Sequence, residues 1–401
     1  MRVLRSRTVG AVAAIAAALL TTSACGGSGP SSSAGGDIKV GVITDRSGPT
    51  VANQLPWLHG FETAVKATND AGGVNKRTID VIVEDDKFDA ALGLAAYKRL
   101  VNQEKVVALS GFGATDTQAA VAPLLEKDGV PIVGGQTIAL EMVDPPHPEF
   151  FGVAPSYQLQ ADTIVGIAAK ESGKARPKIA EIDSGITSGV QFKEFINANK
   201  DADVVGNFVL PANTTSADAV VQKIIAEKPD FIAFHGSASS LNATMKAQQK
   251  FGSAIPMLGV SATAAPSAWD GVDEKTGALY RFMQGVTPTP IEAPGTADLI
   301  KHAKAAGFEN ETVDPAFVSG YVSGLVLTQG LAKAGDDITK ESVTKGIESL
   351  TSVDTGGLTG EMGYGVDDRA GMTVLRPYGW DYATKSFVPS GEYDDYAEFA
   401  K

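Results

Sequence analysis

Few side chains in this sequence have the types and spacings that catalysis or metal binding requires. The chain contains no Gly-x-Ser-x-Gly nucleophile turn, no His-Glu-x-x-His motif and no Gly-x-x-x-x-Gly-Lys-Ser/Thr phosphate loop. Its four histidines are scattered along the chain, at His59, His147, His235 and His302. Isolated histidines are more often surface or packing residues than ligands. We therefore predict neither an enzyme nor a protein with a bound metal or cofactor.

Two further motifs are considered for ion or nucleotide binding. Glu84, Asp85 and Asp86 end a predicted strand, where they would either chelate a cation or face solvent and cap the next turn; we favour the second interpretation. Gly111 and Gly113 match the start of a dinucleotide fingerprint, but Asp116 occupies the third glycine position. A nucleotide site is therefore not predicted.

Small, polar, glycine-rich turns follow most of the predicted strands, and open α/β sheets bind ligands at that edge. In the first half these turns lie at 44–49, 111–117 and 134–137, and in the second half at 183–189, 235–240 and 259–263. The turn around Thr115 opens a helix, whose free N–H groups suit an anion or a carbonyl group. Thr115 with Gln118 also forms a capping-box pattern, which is compatible with ligand binding.

Short β-branched runs alternate with amphipathic helical stretches from residue 37 onward, which predicts parallel βαβ units. The first series has strands at 38–43, 79–84, 106–110 and 130–133 and helices at 58–71 and 89–102. A proline-rich break at 144–148 precedes a second series of similar size, which extends to residue 251. Three helical stretches at 297–306, 315–334 and 339–350 and a β-like segment at 373–382 follow.

The charge balance excludes one class of partner. The 401 residues include 47 Asp and Glu against 34 Lys and Arg, a net charge of −13. Nucleic-acid binding needs a basic stripe, and none is present, so we predict no nucleic-acid partner. A chain of this length suggests two or three domains.

The N-terminus has the pattern of a secretory signal. Arg2, Arg5 and Arg7 precede an apolar run at 9–20, which is too short to span a bilayer, since spanning takes roughly 20 residues. The single cysteine, Cys25, follows Thr22-Ser23-Ala24 in a sequence that resembles a bacterial lipobox. This resemblance implies a signal peptide at 1–24, lipidation of Cys25 and a flexible tether at 25–36. The alternative is a secreted protein whose cysteine is incidental.

An ordered set of motifs covers nearly all of residues 37–390. The set comprises Lys39-Val40-Gly41-Val42-Ile43, Ser47-Gly48-Pro49, Asn69-Asp70-Ala71-Gly72-Gly73, Asp85-Asp86, Thr117-Gln118, Gly129-Val130-Pro131-Ile132 and Asp230-Phe231-Ile232. In this order it resembles the branched-chain amino-acid binding proteins of ABC importers.

The resemblance implies an α/β protein of the type I periplasmic binding fold, with two doubly wound Rossmann-like lobes joined by three crossovers. We expect the crossovers near Ala154, Gln284 and Gly357. Lobe 1 would then comprise 37–154 and 286–357, and lobe 2 would comprise 155–285 and 358–401.

The resemblance also implies site residues. In the amino-acid binders, loops matching Ala114, Thr115, Gly135 and Thr137 hold the ligand carboxylate, and an acid matching Ser261 holds the ammonium group. Ser188 and Ser237 stand at aromatic positions of the family. These departures leave two ligand classes open: a branched-chain amino acid, or a carboxylate or amide without an amine. The expected ligand-binding set is Ser47, Gly113, Ala114, Thr115, Gly135, Gln136, Thr137, Ser188, Ser237 and Ser261.

The expected function is that of an extracytoplasmic solute-binding subunit of an ABC importer. It would act as a lipid-anchored monomer on the outer face of the cytoplasmic membrane or in the periplasm, and deliver its ligand to permease and ATPase subunits. The alternative is an extracellular ligand sensor of the same fold that signals through a membrane partner.

Overall fold

A computed structural model describes residues 36–135, 138–139, 142–263 and 265–393. The described chain forms two lobes, each built on its own β-sheet. The predicted signal peptide, Cys25 and almost all of the predicted tether lie outside the described residues. No helix in the described part of the chain has the length and apolar character needed to cross a membrane.

The first sheet is entirely parallel, with strand order β2-β1-β3-β4-β5. The elements that build it are β1 (Ile38–Thr44), α1 (Val51–Asp70), β2 (Ile79–Asp85), α2 (Ala90–Arg99), β3 (Ala108–Gly111), α3 (Thr115–Asp128), β4 (Ile132–Val133) and β5 (Phe150–Phe151). A π-helical turn, Leu100–Glu104, extends α2.

The second sheet has seven strands in the order β12-β11-β10-β9-β8-β6-β7, and only the pairings of β11 are antiparallel. Its first elements are α4 (Tyr157–Ser172), β6 (Lys178–Asp183), α5 (Thr187–Ala198), β7 (Asp203–Val209), α6 (Asp218–Glu227), β8 (Phe231–Phe234), α7 (Ala238–Phe251), β9 (Met257–Gly259), α8 (Glu274–Gly277) and β10 (Tyr280–Gln284).

The chain crosses between the lobes three times. It passes to the second lobe after β5 and returns after β10 as α9 (Thr296–Ala306), α10 (Pro315–Lys333) and α11 (Lys340–Glu348). It then enters the second sheet again as β11 (Arg376–Asp381) and β12 (Ser386–Pro389). This connectivity is the predicted fold.

Each sheet has a buried core on both faces, which explains the nearly continuous apolar runs of its inner strands. In the first lobe α1, α9, α10 and α11 cover one face, and α2 and α3 cover the other. In the second lobe α6 and α7 cover one face, and α4 and α5 cover the other. With both faces covered, the ends of the strands are where loops can reach a ligand.

Helices α1 and α10 pack in backbone contact. A methyl group on Gly320 would lie 1.8 Å from the carbonyl oxygen of Trp57, and one on Gly60 would lie 1.9 Å from the carbonyl oxygen of Phe317. No side chain fits at either position, so the two glycines set the distance between the helices. This contact fastens the returning C-terminal helices to the first lobe.

The structure differs from the sequence prediction in helix boundaries and in short strands. Helix α1 begins at Val51, seven residues before its predicted start, and contains Pro56. It therefore includes Trp57, which is fully buried and stacked on Phe61. Strands β9, β10 and β12 were not predicted, because three to five residues are too few to show a period.

We predict that Gly320→Ala lowers the free energy of unfolding by about 1–3 kcal/mol, the usual effect of overpacking a tight contact. Gly365→Ala is the matched control, because its added methyl group meets no atom within 4 Å and its φ is not positive. Urea unfolding of both variants measures the difference. Equal stability of the two variants would show that α1 and α10 separate without strain.

Candidate functional site

The loop after β1 is organised by a buried carboxylate, Asp45. Its Oδ1 accepts hydrogen bonds from the amides of Ser47 and Gly48, and its Oδ2 accepts from the Thr50 amide at 2.7 Å. The Ser47 hydroxyl donates to Asp85 Oδ2 at 2.6 Å, and Ser47 is exposed. Ser47, predicted as a ligand-binding residue, therefore joins the β1 and β2 loops through its hydroxyl.

The loop after β3 approaches a side chain of α1. A methyl group on Gly113 would overlap the Gln54 side-chain amide, so any larger residue there would displace Gln54. Gln54 is buried, and its Oε1 accepts a hydrogen bond from the Thr44 hydroxyl at 2.7 Å. Gln54 thus connects the ends of β1 and β3, next to predicted residues Gly113, Ala114 and Thr115.

The predicted capping box at Thr115 is wrong. Ala114 is the N-cap of α3, and no side chain caps the helix. Gln118 instead donates from Nε2 to the Phe112 carbonyl at 2.7 Å and accepts from the Ala139 amide at 2.9 Å. The physical reason is burial: Gln118 lies inside the lobe, where it bridges the β3 and β4 loops. Ala114 and Thr115 are also buried at this strand edge.

The loop after β4 contributes Gly135, which is buried. Gln136 and Thr137, both predicted as ligand-binding residues, lie outside the described residues. Their role stays a prediction.

Three predicted serines belong to the facing loops of the second lobe. Ser188, in the first turn of α5, hydrogen-bonds with Tyr157, and burial raises the pKa of that tyrosine to about 12. The Ser261 amide donates to Gln160 Oε1 at 2.7 Å. Ser237 is the N-cap of α7 in a capping box, and its hydroxyl donates to the Ala212 carbonyl. Ser237 therefore has a capping role that the sequence analysis did not identify.

A buried polar cluster lies between β6, β8 and α5. His235 Nδ1 shares a 3.1 Å hydrogen bond with the Ser184 hydroxyl, and burial lowers the pKa of His235 to about 4. Glu181 is fully buried, and neither of its carboxyl oxygens has a hydrogen-bond partner among the described residues. Burial, with a smaller contribution from Asp183, raises the pKa of Glu181 to about 9. At neutral pH both His235 and Glu181 are therefore uncharged.

Asp183, at the end of β6, lies beside this cluster. Its Oδ1 accepts a hydrogen bond from the Gly185 amide at 2.6 Å, and its Oδ2 lies 3.5 Å from Lys193 Nζ. The Asp183 side chain is buried, and its carboxylate is paired within the second lobe.

One direct hydrogen bond joins loops of the two lobes near the crossovers. Asn53 Nδ2, in the first turn of α1, donates to the Ala262 carbonyl at 2.8 Å. The two residues border a cavity of about 30 Å³ that is also lined by Ser261, Gln284 and Ser319. Such a volume holds about one or two water molecules. Helix α3 also contacts α5, so the two lobes touch at a second place.

Sequence reasoning missed Gln54, Tyr157 and Gln160, which position the loops of the candidate site. Gln160 donates from Nε2 to the Pro155 carbonyl and accepts from Ser261, so it joins the first crossover to the β9 loop. The only available signal was a polar residue at an inward-facing position of a helix that follows a crossover or a strand end.

The described residues contain no group of three or more His, Cys, Asp or Glu side chains that could hold a metal ion. Asp85 accepts hydrogen bonds from the Arg46 and Lys87 amides as well as from Ser47, so it caps the turn as we favoured. Burial raises the pKa of the neighbouring Asp86 to about 6.

A family model described as periplasmic binding protein matches residues 37–385. The chain belongs to the periplasmic binding protein family. The Leu/Ile/Val-binding protein BraC3 of Rhizobium johnstonii is 21% identical over 348 residues, which cover 86% of this chain and 92% of that protein. The region that the family model matches contains the whole first sheet, all of the second sheet except β12, and every described loop discussed above.

Solved structures of the family show the same fold. A branched chain amino acid ABC transporter protein from Thermus thermophilus with bound valine has a TM-score of 0.80 at 18% identity, and covers 90% of this chain and 99% of its own. A fatty acid ABC transporter substrate-binding protein from Thermomonospora curvata has a TM-score of 0.79 at 17% identity, with coverages of 90% and 94%. The chain therefore has the type I periplasmic binding protein fold.

We predict that Asn53→Ala weakens ligand binding by roughly tenfold or less, the effect of losing one hydrogen bond that joins the two lobes. Asn242→Ala is the matched control, since Asn242 Nδ2 donates to the Ala268 carbonyl at the same 2.8 Å but within the second lobe. Stopped-flow measurement should show faster ligand release for the first variant only. Equal release rates would assign no closing role to Asn53.

We predict that the free energy of unfolding of Glu181→Gln exceeds that of the unsubstituted protein by an amount that grows as the pH rises. Burial raises the pKa of Glu181 to about 9 in the folded state. The stability that its protonated form contributes is therefore fully present below pH 4.5, the ordinary pKa of a glutamate, and is lost as the pH rises towards 9. The advantage of the variant should grow by at most about 1.4 kcal/mol per pH unit in this window.

Urea unfolding at pH 5, 6, 7 and 8 measures this advantage, with the exposed Glu227→Gln as the control. A pH-independent difference between Glu181→Gln and the unsubstituted protein would contradict the raised pKa.

Proposed function

We propose that this protein is the solute-binding subunit of an ABC importer, which captures a small polar ligand between its lobes and delivers it to permease and ATPase subunits. The observation that carries the proposal is the pairing of glycine-rich and serine-rich loops at the facing edges of two sheets. Gly113, Ala114 and Thr115 in one lobe and Ser188 and Ser261 in the other occupy these edges. A ligand that contacts both sets would favour the closed arrangement of the lobes.

The proposed ligand is a branched-chain amino acid or a related carboxylate or amide. The uncapped first turns of α3 and α5 offer N–H groups to a carboxylate or carbonyl oxygen. No acid stands at Ser261, and the Asp183 carboxylate is already paired. This arrangement supports a ligand without an ammonium group over a free amino acid, although several relatives bear Leu/Ile/Val-binding names.

We further propose that a lipid on Cys25 holds the protein at the outer face of the cytoplasmic membrane or in the periplasm, as a monomer. For the moving parts we propose lobe 1 as 37–154 with 286–357 and lobe 2 as 155–285 with 358–401. The start of the last segment packs on the first lobe, since Leu358, Met362 and Tyr364 belong to the core formed by α10 and α11. Residues 358–372 would then act as the third connection.

The test is thermal unfolding of the full chain with leucine and with isocaproate, which is leucine without its amine. A ligand at 100 times its dissociation constant adds about 2.7 kcal/mol of stability. We expect isocaproate to stabilise the protein more than leucine.

Stabilisation by leucine alone would keep the capture function but show that an acid elsewhere binds the amine. If amino acids, carboxylates, amides, aromatic acids and sugars all leave the unfolding temperature unchanged, the capture of a small solute is contradicted.

A further inference from the structure

Residues 390–393 leave the second sheet after β12 and lie against two of the chain connections between the lobes. The Ser390 amide still donates to the Pro377 carbonyl at 2.9 Å, as an extension of the sheet. Arg376 of β11 holds the next residue, because its Nε donates to the Gly391 carbonyl at 2.8 Å. These residues, here called the C-terminal strap, are therefore fixed to the second lobe at their base.

Tyr393, in the C-terminal strap, contacts both of these connections. Its hydroxyl shares a 3.0 Å hydrogen bond with the hydroxyl of Thr287, just after β10. Its ring lies against Gly360, where an added methyl group would be 3.4 Å from ring atom Cδ1. The Arg376 guanidinium lies 5.4 Å from the centre of the same ring, within the range of a cation–π contact. Burial raises the pKa of Tyr393 above its ordinary value, so its hydroxyl keeps its proton.

Thr287 and Gly360 belong to connections that are fastened to each other and to the first lobe. The Thr287 amide donates to the Leu358 carbonyl at 2.7 Å, and Val286 pairs with Thr359 in an isolated antiparallel bridge. Val286 and Leu358 are buried in the core that α1 and α10 share. The C-terminal strap therefore reaches from the second lobe to two connections at the point where they enter the core of the first.

A rotation of one lobe against the other must bend these connections, because their two ends are held in different cores. Tyr393 follows the second lobe through Arg376, whereas Val286 and Leu358 stay with the first. The hydrogen bond between Tyr393 and Thr287 can therefore form in only part of the range of motion, since a hydrogen bond tolerates little displacement. In this structure it forms together with the contacts between the two lobes.

We propose that the C-terminal strap stabilises the arrangement in which the lobes touch, through the hydrogen bond between Tyr393 and Thr287. Loss of this bond favours arrangements in which α3 and α5 lie further apart. The strap thereby sets how readily the free protein opens. This inference goes beyond the proposed capture function, which does not require it.

The test measures the distance between the lobes by double electron–electron resonance on the full chain without added ligand. Glu126→Cys on α3 and Glu194→Cys on α5 carry the spin labels, since both positions are exposed. Cys25→Ser removes the only native thiol. Tyr393→Phe keeps the ring but removes the hydroxyl, so it should lower the ratio of short to long distances by roughly fivefold, the effect of one hydrogen bond.

Thr287→Val removes the same hydrogen bond from the other side. It should give the same shift, and the double variant with Tyr393→Phe should add nothing to it. Thr287→Ser keeps a hydroxyl and should retain the original distances. Tyr382→Phe is the control and should change nothing, because its hydroxyl donates to the Val272 and Asp273 carbonyls within the second lobe.

The proposal is overturned if Tyr393→Phe and Thr287→Val leave the distances unchanged, if their effects add, or if Tyr382→Phe produces the same shift. A lower unfolding temperature of Tyr393→Phe with unchanged distances would also overturn it, since the bond would then contribute to stability alone. None of these results would bear on the capture of a solute, which the leucine and isocaproate experiment tests separately.

Discussion

The backbone contact between α1 and α10 is the constraint on which the two-lobe arrangement depends. Gly60 and Gly320 allow the helices to meet without intervening side chains. Because α10 lies more than two hundred residues after α1, this contact returns the chain to the first lobe after strands β6 to β10 of the second sheet. The return produces three connections between the lobes instead of one. Three chain connections restrict the relative motion of the lobes to a hinge.

Buried polar side chains then hold the loops of the candidate site in place. Gln54 and Gln118 join strand-end loops within the first lobe, and Gln160 joins the first crossover to the β9 loop. Gln118 and Gln160 each supply both a donor and an acceptor, which suits the bridging of two backbone segments. The residues proposed to contact ligand are small, and these glutamines give them fixed positions.

The fold was predictable from the sequence because its signals are long. Apolar strands such as β1 and helices such as α10 extend over seven or more residues, and the order of the motifs distinguishes the family. The details of the site were less predictable. The capping-box pattern at Thr115 is a local signal, but burial directs Gln118 towards two backbone groups that lie far apart in sequence. Gln54 and Tyr157 acquire their roles only from tertiary contacts, which no local pattern contains.

Closure of the lobes around a ligand is the central claim of this account. Small-angle X-ray scattering from the full chain, with and without a ligand shown independently to bind, tests it most directly. The account predicts a smaller radius of gyration with ligand, because the contacts between Asn53 and Ala262 and between α3 and α5 would be populated more fully. An unchanged radius of gyration at saturating ligand would contradict capture by closure.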